Sequence, residues 1–267
     1  MKTTQKCAGK KEKYFMYGSE REKEILKLLS QNDYVTVEYL ARKIHISPSS
    51  IRRDLKKLEL EGHIIRSYGG AELKESGKRQ IPFDLRSHQN AKEKTLVAKK
   101  AAELVKQGDV VFLDGSTSTY FMLMYLKDIK GITVITNGLA GMNLCAEYGI
   151  NAYFTGGKPD PENPSCLVGT HTENMINSFH ADIFFFSVQS LSDNGIMYDC
   201  FENETAPRMC MMKNSEKSVL LCDSSKLNRF SPYKLCEIEK IDCIISDTDI
   251  KAYLKGDYPK LHFIIAN

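Results

Sequence analysis

Two stretches of the chain carry side chains whose type and spacing could do chemistry. In the first, Ser47-Pro48-Ser49-Ser50-Ile51-Arg52-Arg53-Asp54-Leu55-Lys56-Lys57-Leu58, hydroxyls precede paired cations. Ser47 is a natural N-cap and Pro48 a favoured first helical residue, so the run predicts a helix. With Ile51, Leu55 and Leu58 turned inward, Ser49, Ser50, Arg52, Arg53, Lys56 and Lys57 are left for other faces. Hydroxyls and free amides at a helix N-terminus suit phosphate or base edges. A guanidinium offers guanine a two-pronged fork, and lysines displace counterions from a nucleic-acid backbone. Arg52 and Arg53 project about 100° apart, so one is expected to read a base and the other to grip backbone. Asp54 reads as an orienting partner for a nearby arginine, and Arg66, on a strand beyond the helix, as a minor-groove or phosphate contact. For Arg-Arg-Asp alone, a plain solvated surface would be the alternative.

The second stretch is Leu113-Asp114-Gly115-Ser116-Thr117-Ser118-Thr119, which follows an apolar run and opens a helix. Small residues let backbone amides approach an anion, hydroxyls donate to it, and the helix N-terminus adds positive potential. A simple helix cap would need one of those hydroxyls and not four. Thr136-Asn137-Gly138 and Gly156-Gly157 end the next two apolar runs, and Cys222-Asp223-Ser224-Ser225-Lys226 ends another. The carboxyl ends of parallel strands are where α/β sheets bind ligands. Thr136, Asn137, Gly156 and Gly157 are therefore candidates for the same anion site as Asp114–Thr119. Lys226 is a candidate charge contact to a phosphate, or else a solvated surface lysine.

The elements that must position these residues follow from periodicity. Ser19-Glu20-Arg21-Glu22 has the spacing of a capping box ahead of a helix bearing Ile25, Leu28 and Leu29. Thr36 can cap a second helix with Val37, Leu40, Ala41 and Ile44 on one face. Helix, short helix, tight break, helix and the strand Ile64–Tyr68 closed by Gly69-Gly70 make the layout of a winged helix-turn-helix over 18–72. A polar stretch, 73–90, reads as a linker. From 91 to 267 helical stretches alternate with apolar runs at 109–114, 132–136, 152–155, 182–188, 218–222, 243–246 and 261–265. That alternation predicts βα units around a mostly parallel sheet.

Charge agrees with this division. Residues 1–80 hold 18 Lys and Arg against 11 Asp and Glu, a surplus of seven, while the remainder carries a deficit of four. A basic small unit on an acidic larger one suggests a polyanionic partner at one end, although the lysine-rich lead-in contributes to the excess. The N-terminus is basic without an apolar core behind it, which argues against a secretory signal, and no apolar run is long enough to span a membrane. The eight cysteines form no Cys-x-x-Cys pair, so neither a metal nor another cofactor is expected, and reduced thiols in the cytoplasm are.

The first string, followed by Gly62 and Ile65-Arg66-Ser67-Tyr68-Gly69-Gly70-Ala71, resembles the DeoR family of bacterial regulators. That family shows a Ser-x-x-Thr-Ile-Arg-Arg-Asp-Leu helix and an Arg-x-x-Gly-Gly-Ala wing. Ser50 stands where threonine is usual and keeps the hydroxyl. The resemblance runs from about residue 18 nearly to the end, through Pro82-Phe83, Arg86, Asn90, Lys94, the Asp114–Thr119 stretch, Val168-Gly169, Asn194-Gly195 and Asp223–Lys226. Glu204 and Arg208 are similar to the family's acidic-then-basic helix, with Pro207 where lysine is common. The resemblance implies a C-terminal domain like that of ribose-5-phosphate isomerase and coenzyme A transferases. It also implies a repressor of a carbohydrate-catabolism operon, a homodimer or homotetramer on double-stranded operator DNA, modulated by a phosphorylated sugar or sugar acid. The rival is an enzyme acting on a sugar phosphate, for which Asp182, Asp199, Glu202 and Glu204 are available as bases. The attached DNA reader speaks against it.

Overall fold

The computed structural model describes residues 18–30, 35–61, 63–67, 69–73, 83–227, 229 and 231–267. The basic lead-in, Cys7, Gly62, Tyr68 and most of the stretch read as a linker lie outside them. The chain divides into two compact units, 1–74 and 75–267.

In the first unit, α1 (Gly18–Ser30), α2 (Val37–Ile44) and α3 (Pro48–Leu60) pack beside a small antiparallel sheet of β1 (Val35–Thr36), β2 (Ile64–Ser67) and β3 (Gly70–Leu73), in the order β1-β3-β2. Thr36 caps α2 by accepting from the Tyr39 amide at 3.2 Å. His45, at φ 58°, ends α2 in the left-handed region and makes the tight break before α3. Ile25, Leu29, Leu40, Ile44, Ile51, Leu55 and Leu58 are all buried. Three expectations need correcting. Helix α1 begins at Gly18, so Ser19 lies inside its first turn and not ahead of it. Leu26, not Leu28, completes its buried face. Gly70 does not close the unit but starts β3, which pairs with β1 and β2 to complete the wing.

The second unit contains, in order, α4 (Phe83–His88), α5 (Ala91–Ala102), β4 (Val110–Leu113), α6 (Thr117–Leu126), β5 (Thr133–Thr136), α7 (Leu139–Tyr148), β6 (Asn151–Phe154), β7 (Lys158–Pro159), β8 (Leu167–Val168), α8 (Thr170–Asn177), β9 (Ile183–Phe186), β10 (Ser190–Leu191), β11 (Ile196–Asp199), α9 (Thr205–Lys213), β12 (Ser218–Leu221), β13 (Tyr233–Glu237), β14 (Cys243–Ser246), α10 (Ile250–Tyr253) and β15 (His262–Ile265). Helix α4 falls within the stretch read as linker. The seven strands anticipated from apolar runs form one parallel sheet in the order β15-β14-β12-β9-β4-β5-β6. Buried strands carry apolar residues on both faces, and the pleat sends neighbours to opposite sides. Val111, Leu113 and Phe185 pack with α5 and α6, while Phe112, Phe184 and Phe186 face Ile176 of α8 and Met211 of α9. A second sheet, β10-β11-β13, is antiparallel, as is the ribbon β7-β8.

Candidate nucleic-acid interface and effector site

Helix α3 is held in place by charge as well as by its apolar stripe. Asp54, 5% exposed, accepts from Arg21 Nε at 2.5 Å and Nη2 at 2.7 Å. The arginine it orients belongs to α1, so Asp54 fastens two helices together and does not steer Arg52 or Arg53. Ser47 caps α3, its Oγ 3.3 Å from the Ser50 amide and 2.9 and 3.0 Å from the hydroxyls of Ser49 and Ser50. Ser49, Arg52, Arg53 and Lys56 are exposed, and their i, i+3, i+4, i+7 spacing puts them on one stripe. Arg52 reaches Glu38 of α2 at 3.4 Å, an exposed pair that DNA could displace. Arg53 and Lys56 make no ion pair among the described residues. Lys57 leaves the stripe: its Nζ lies 2.8 Å and 2.9 Å from the Glu22 carboxylate on α1 and 3.7 Å from Glu61. Arg66 on the wing pairs loosely with Glu59 at 3.5 Å.

In the second unit, the loop after β4 is the organising point. Asp114 Oδ1 accepts from the Ser116 amide and the Thr119 hydroxyl, both at 3.1 Å, and Oδ2 from the Ser187 amide at 3.2 Å and Arg208 Nε at 2.9 Å. Ser116 is the N-cap of α6, accepting from the Thr119 amide at 3.3 Å, and Thr119 Oγ1 donates to the Asp114 carbonyl at 2.8 Å. Two of the four hydroxyls are thus spent on the cap. Ser118 Oγ lies 3.4 Å from Ser187 Oγ, which donates to the Leu221 carbonyl. Among the described residues, the amides of Gly115, Thr117 and Ser118 donate to no protein group. The underside of the loop borders a hollow with room for about one water molecule, lined among others by Phe83, Tyr120, Leu123 and Cys145, too small for a sugar. The face open to a ligand is the outer one.

Glycine is required here by close approach. A Cβ on Gly138 would lie 2.7 Å from Gly115 Cα, and one on Gly115 would lie 2.3 Å from Cys166 Sγ. The loops after β4 and β5 therefore touch backbone to backbone.

Beside Asp114 stands a buried ionic group absent from the motif reading. Arg208 of α9 bonds Asp114, Asp199 at the end of β11, and Glu204 at 3.1 Å. Burial would strip the charge from Arg208, but Asp199, Asp114 and Glu204 hold it protonated. Burial, aided by Glu204 and Asp114 and opposed by Arg208, pushes the Asp199 carboxyl well above the usual carboxylate range. Asn163 donates to Glu204 at 2.6 Å. The Glu204 and Arg208 spacing of i, i+4 was the one sequence signal for this cluster.

The other candidates divide. Thr136 Oγ1 accepts from the Gly138 amide at 3.0 Å, and Asn137 donates to the Leu167 carbonyl at 2.9 Å, leaving its buried Oδ1 without a partner. Lys226 lies half-buried on the turn after β12, where Asp223 Oδ1 accepts from the Ser225 amide at 3.1 Å. Gly156 and Gly157 follow the edge strand β6 and take positive φ values of 65° and 107°. They pack against α8, the Thr172 hydroxyl donating to the Gly156 carbonyl at 2.7 Å, and β5 separates them from the Asp114 loop by two strand spacings, about 10 Å. Of the acids considered as bases, Asp182 lies at the amino end of β9, bonded to the Val110 amide at 2.7 Å, and Glu202 is exposed. Asp199 and Glu204 are clamped by Arg208.

Residues 21–77 match the model of the DeoR-like helix-turn-helix domain, and residues 89–248 match the DeoR C terminal sensor domain. The chain is 34% identical to the HTH-type transcriptional regulator GolR of Listeria innocua, over 90% of this chain and 94% of that one. It is 32% identical to the HTH-type transcriptional repressor GlcR of Bacillus subtilis, over 87% and 89%. It is 31% identical to an L-fucose operon activator of Haemophilus influenzae, over 86% and 92%. Among solved structures, ribose 5-phosphate isomerase A from Methanocaldococcus jannaschii is similar with a TM-score of 0.39 at 20% identity, over 52% of this chain and 55% of that one.

Proposed function

This chain belongs to the DeoR family of transcriptional regulators, and we propose that it represses a carbohydrate-catabolism operon until a phosphorylated sugar or sugar acid binds its C-terminal domain. A homodimer or homotetramer would set two α3 helices in successive major grooves of a repeated operator site. Ser47, Ser49 and Ser50 then meet phosphate at the helix N-terminus, Arg52 or Arg53 reads a base, and Lys56 contacts backbone. Lys57 contributes long-range charge, and Arg66 reaches DNA from the wing. The effector lies over Gly115, Thr117 and Ser118, with Lys226 as counter-charge and Asp114, Thr136 and Asn137 shaping the loop. Gly156 and Gly157 border the site at most through a sugar that extends that far. Binding one arrangement of the two units better than the other shifts DNA affinity. Such a role is exercised in the cytoplasm, and among the described residues no helix is long and apolar enough to cross a membrane.

The observation that carries this reading is the loop over Asp114–Thr119, which leaves three adjacent amides facing outward at a strand end and a helix N-terminus. Catalysis is not part of the proposal, because a base must be free to take a proton, and Asp199 and Glu204 are both held by Arg208. A thermal-shift screen across phosphorylated sugars tests the effector. A ligand at 100 times its Kd should add about 2.7 kcal/mol to the apparent stability of the folded state. A hit with unphosphorylated sugars alone would overturn the anion site, and isomerisation of ribose 5-phosphate would favour the enzyme. Replacing Arg52 and Arg53 by alanine should abolish operator binding in a gel-shift titration, each costing about 1–3 kcal/mol, while leaving effector binding intact.

A further inference from the structure

Lys94 lies in the first turn of α5 and is 4% exposed. Its Nζ donates to the carbonyls of Arg86 and Gln89, at 2.5 Å and 2.8 Å, just past and within the end of α4. No carboxylate lies within ion-pair distance of it among the described residues. A buried cation without a carboxylate partner is costly, and this one also sits amid like charge. Lys226, on the turn after β12, Arg86, on α4, and Arg229 all repel it, and only Asp223 attracts it. Asp223 in turn has a buried oxygen, Oδ2, without a hydrogen-bond partner.

We propose that Lys94 is a binding residue of the effector site, which together with Lys226 receives the anionic group of the ligand and takes up a proton as it does so. The assignment rests on the phosphorylated-effector reading above and deepens it. An amine has two N–H bonds and a lone pair, and the two carbonyls already use two N–H donors. A proton drawn from solvent onto the lone pair creates the third donor, which the anion accepts. Burial first, then Lys226, Arg86 and Arg229, bring the Lys94 amine down from 10.5 to about 7, with Asp223 opposing. The unliganded amine therefore loses its proton as pH rises through neutrality, and an adjacent dianion restores it. Because the same nitrogen holds the Arg86 and Gln89 carbonyls, anion binding is felt directly at the end of α4.

The test is calorimetric titration of the full chain with inorganic sulfate, which stays a dianion throughout, and with inorganic phosphate, at pH 6.5, 7.5 and 8.5 in buffers of differing ionisation enthalpy. Wild type should take up nearly one proton per sulfate at pH 8.5 and little at pH 6.5, with affinity falling about tenfold per pH unit above 7. Lys94→Gln, whose amide can still donate to the carbonyls, should bind at least tenfold more weakly at pH 6.5 and show no proton uptake. Lys94→Arg should bind without pH dependence, which separates loss of charge from loss of folding. Wild-type affinity and proton uptake preserved in both variants would sink the role of Lys94 alone. Failure of either anion to bind wild type would sink the anion site itself.

Discussion

At the scale of single residues, two arginines hold structure that the motif alone would have assigned to function. Arg208 neutralises three carboxylates that have left water, and truncating it to methionine leaves Asp114, Asp199 and Glu204 facing one another unpaired. The expected cost is about 3–5 kcal/mol, read as a fall in denaturation midpoint, with partial recovery at pH 5 where the raised Asp199 carboxyl is protonated. Equal destabilisation at pH 5 and pH 8 would contradict the charge argument. Arg21 and Asp54 are partly solvated, so Asp54→Ala should cost about 2 kcal/mol and act on DNA binding through the folding of the N-terminal unit. Lys94 makes a prediction without ligand as well. Its amine titrates lower in the fold than in the unfolded chain, so the native state binds fewer protons between pH 7 and 10.5. Its contribution to stability therefore rises with pH over that window and is absent below 7. A Lys94→Gln variant should lack that rise when melting temperatures are compared from pH 7 to 9.

At the scale of elements, the loops after β4 and β5 work as one piece because two glycines touch. A methyl on Gly138 would meet the Gly115 Cα at 2.7 Å, inside any tolerable contact, and both neighbours are backbone that cannot rotate away. Gly138→Ala should therefore displace the Asp114 loop and lower effector affinity at least tenfold in calorimetry, while operator binding in the absence of effector persists. Gly157 differs, since at φ 107° any side chain is strained and its Cβ would meet the Thr172 hydroxyl at 2.1 Å. Gly157→Ala is expected to cost stability, about 1–3 kcal/mol, with little change in anion affinity.

At the scale of the whole molecule, the parallel sheet owns both of its hydrophobic faces. Every residue of the two large clusters lies between Val97 and Ala266, so residues 75–267 are expected to fold alone and melt cooperatively. Non-cooperative melting of that fragment would show that the sheet depends on the N-terminal unit.

What the sequence determined by itself was whatever depends on near neighbours in the chain. The seven strands of the parallel sheet were legible as apolar runs, because a strand buried on both faces can carry little else. The stripe Ser49, Arg52, Arg53 and Lys56 followed from helical period, and the Ser116 cap from a hydroxyl at a strand-to-helix junction. The tertiary structure alone decided which distant groups meet. It gave Asp54 to Arg21 and Lys57 to Glu22, drew Gly156 and Gly157 toward α8, and joined Asp114 to Arg208 across 94 positions. A charge on its own predicts only that it needs a partner when water is removed, and which partner it finds depends on how the helices cross the sheet.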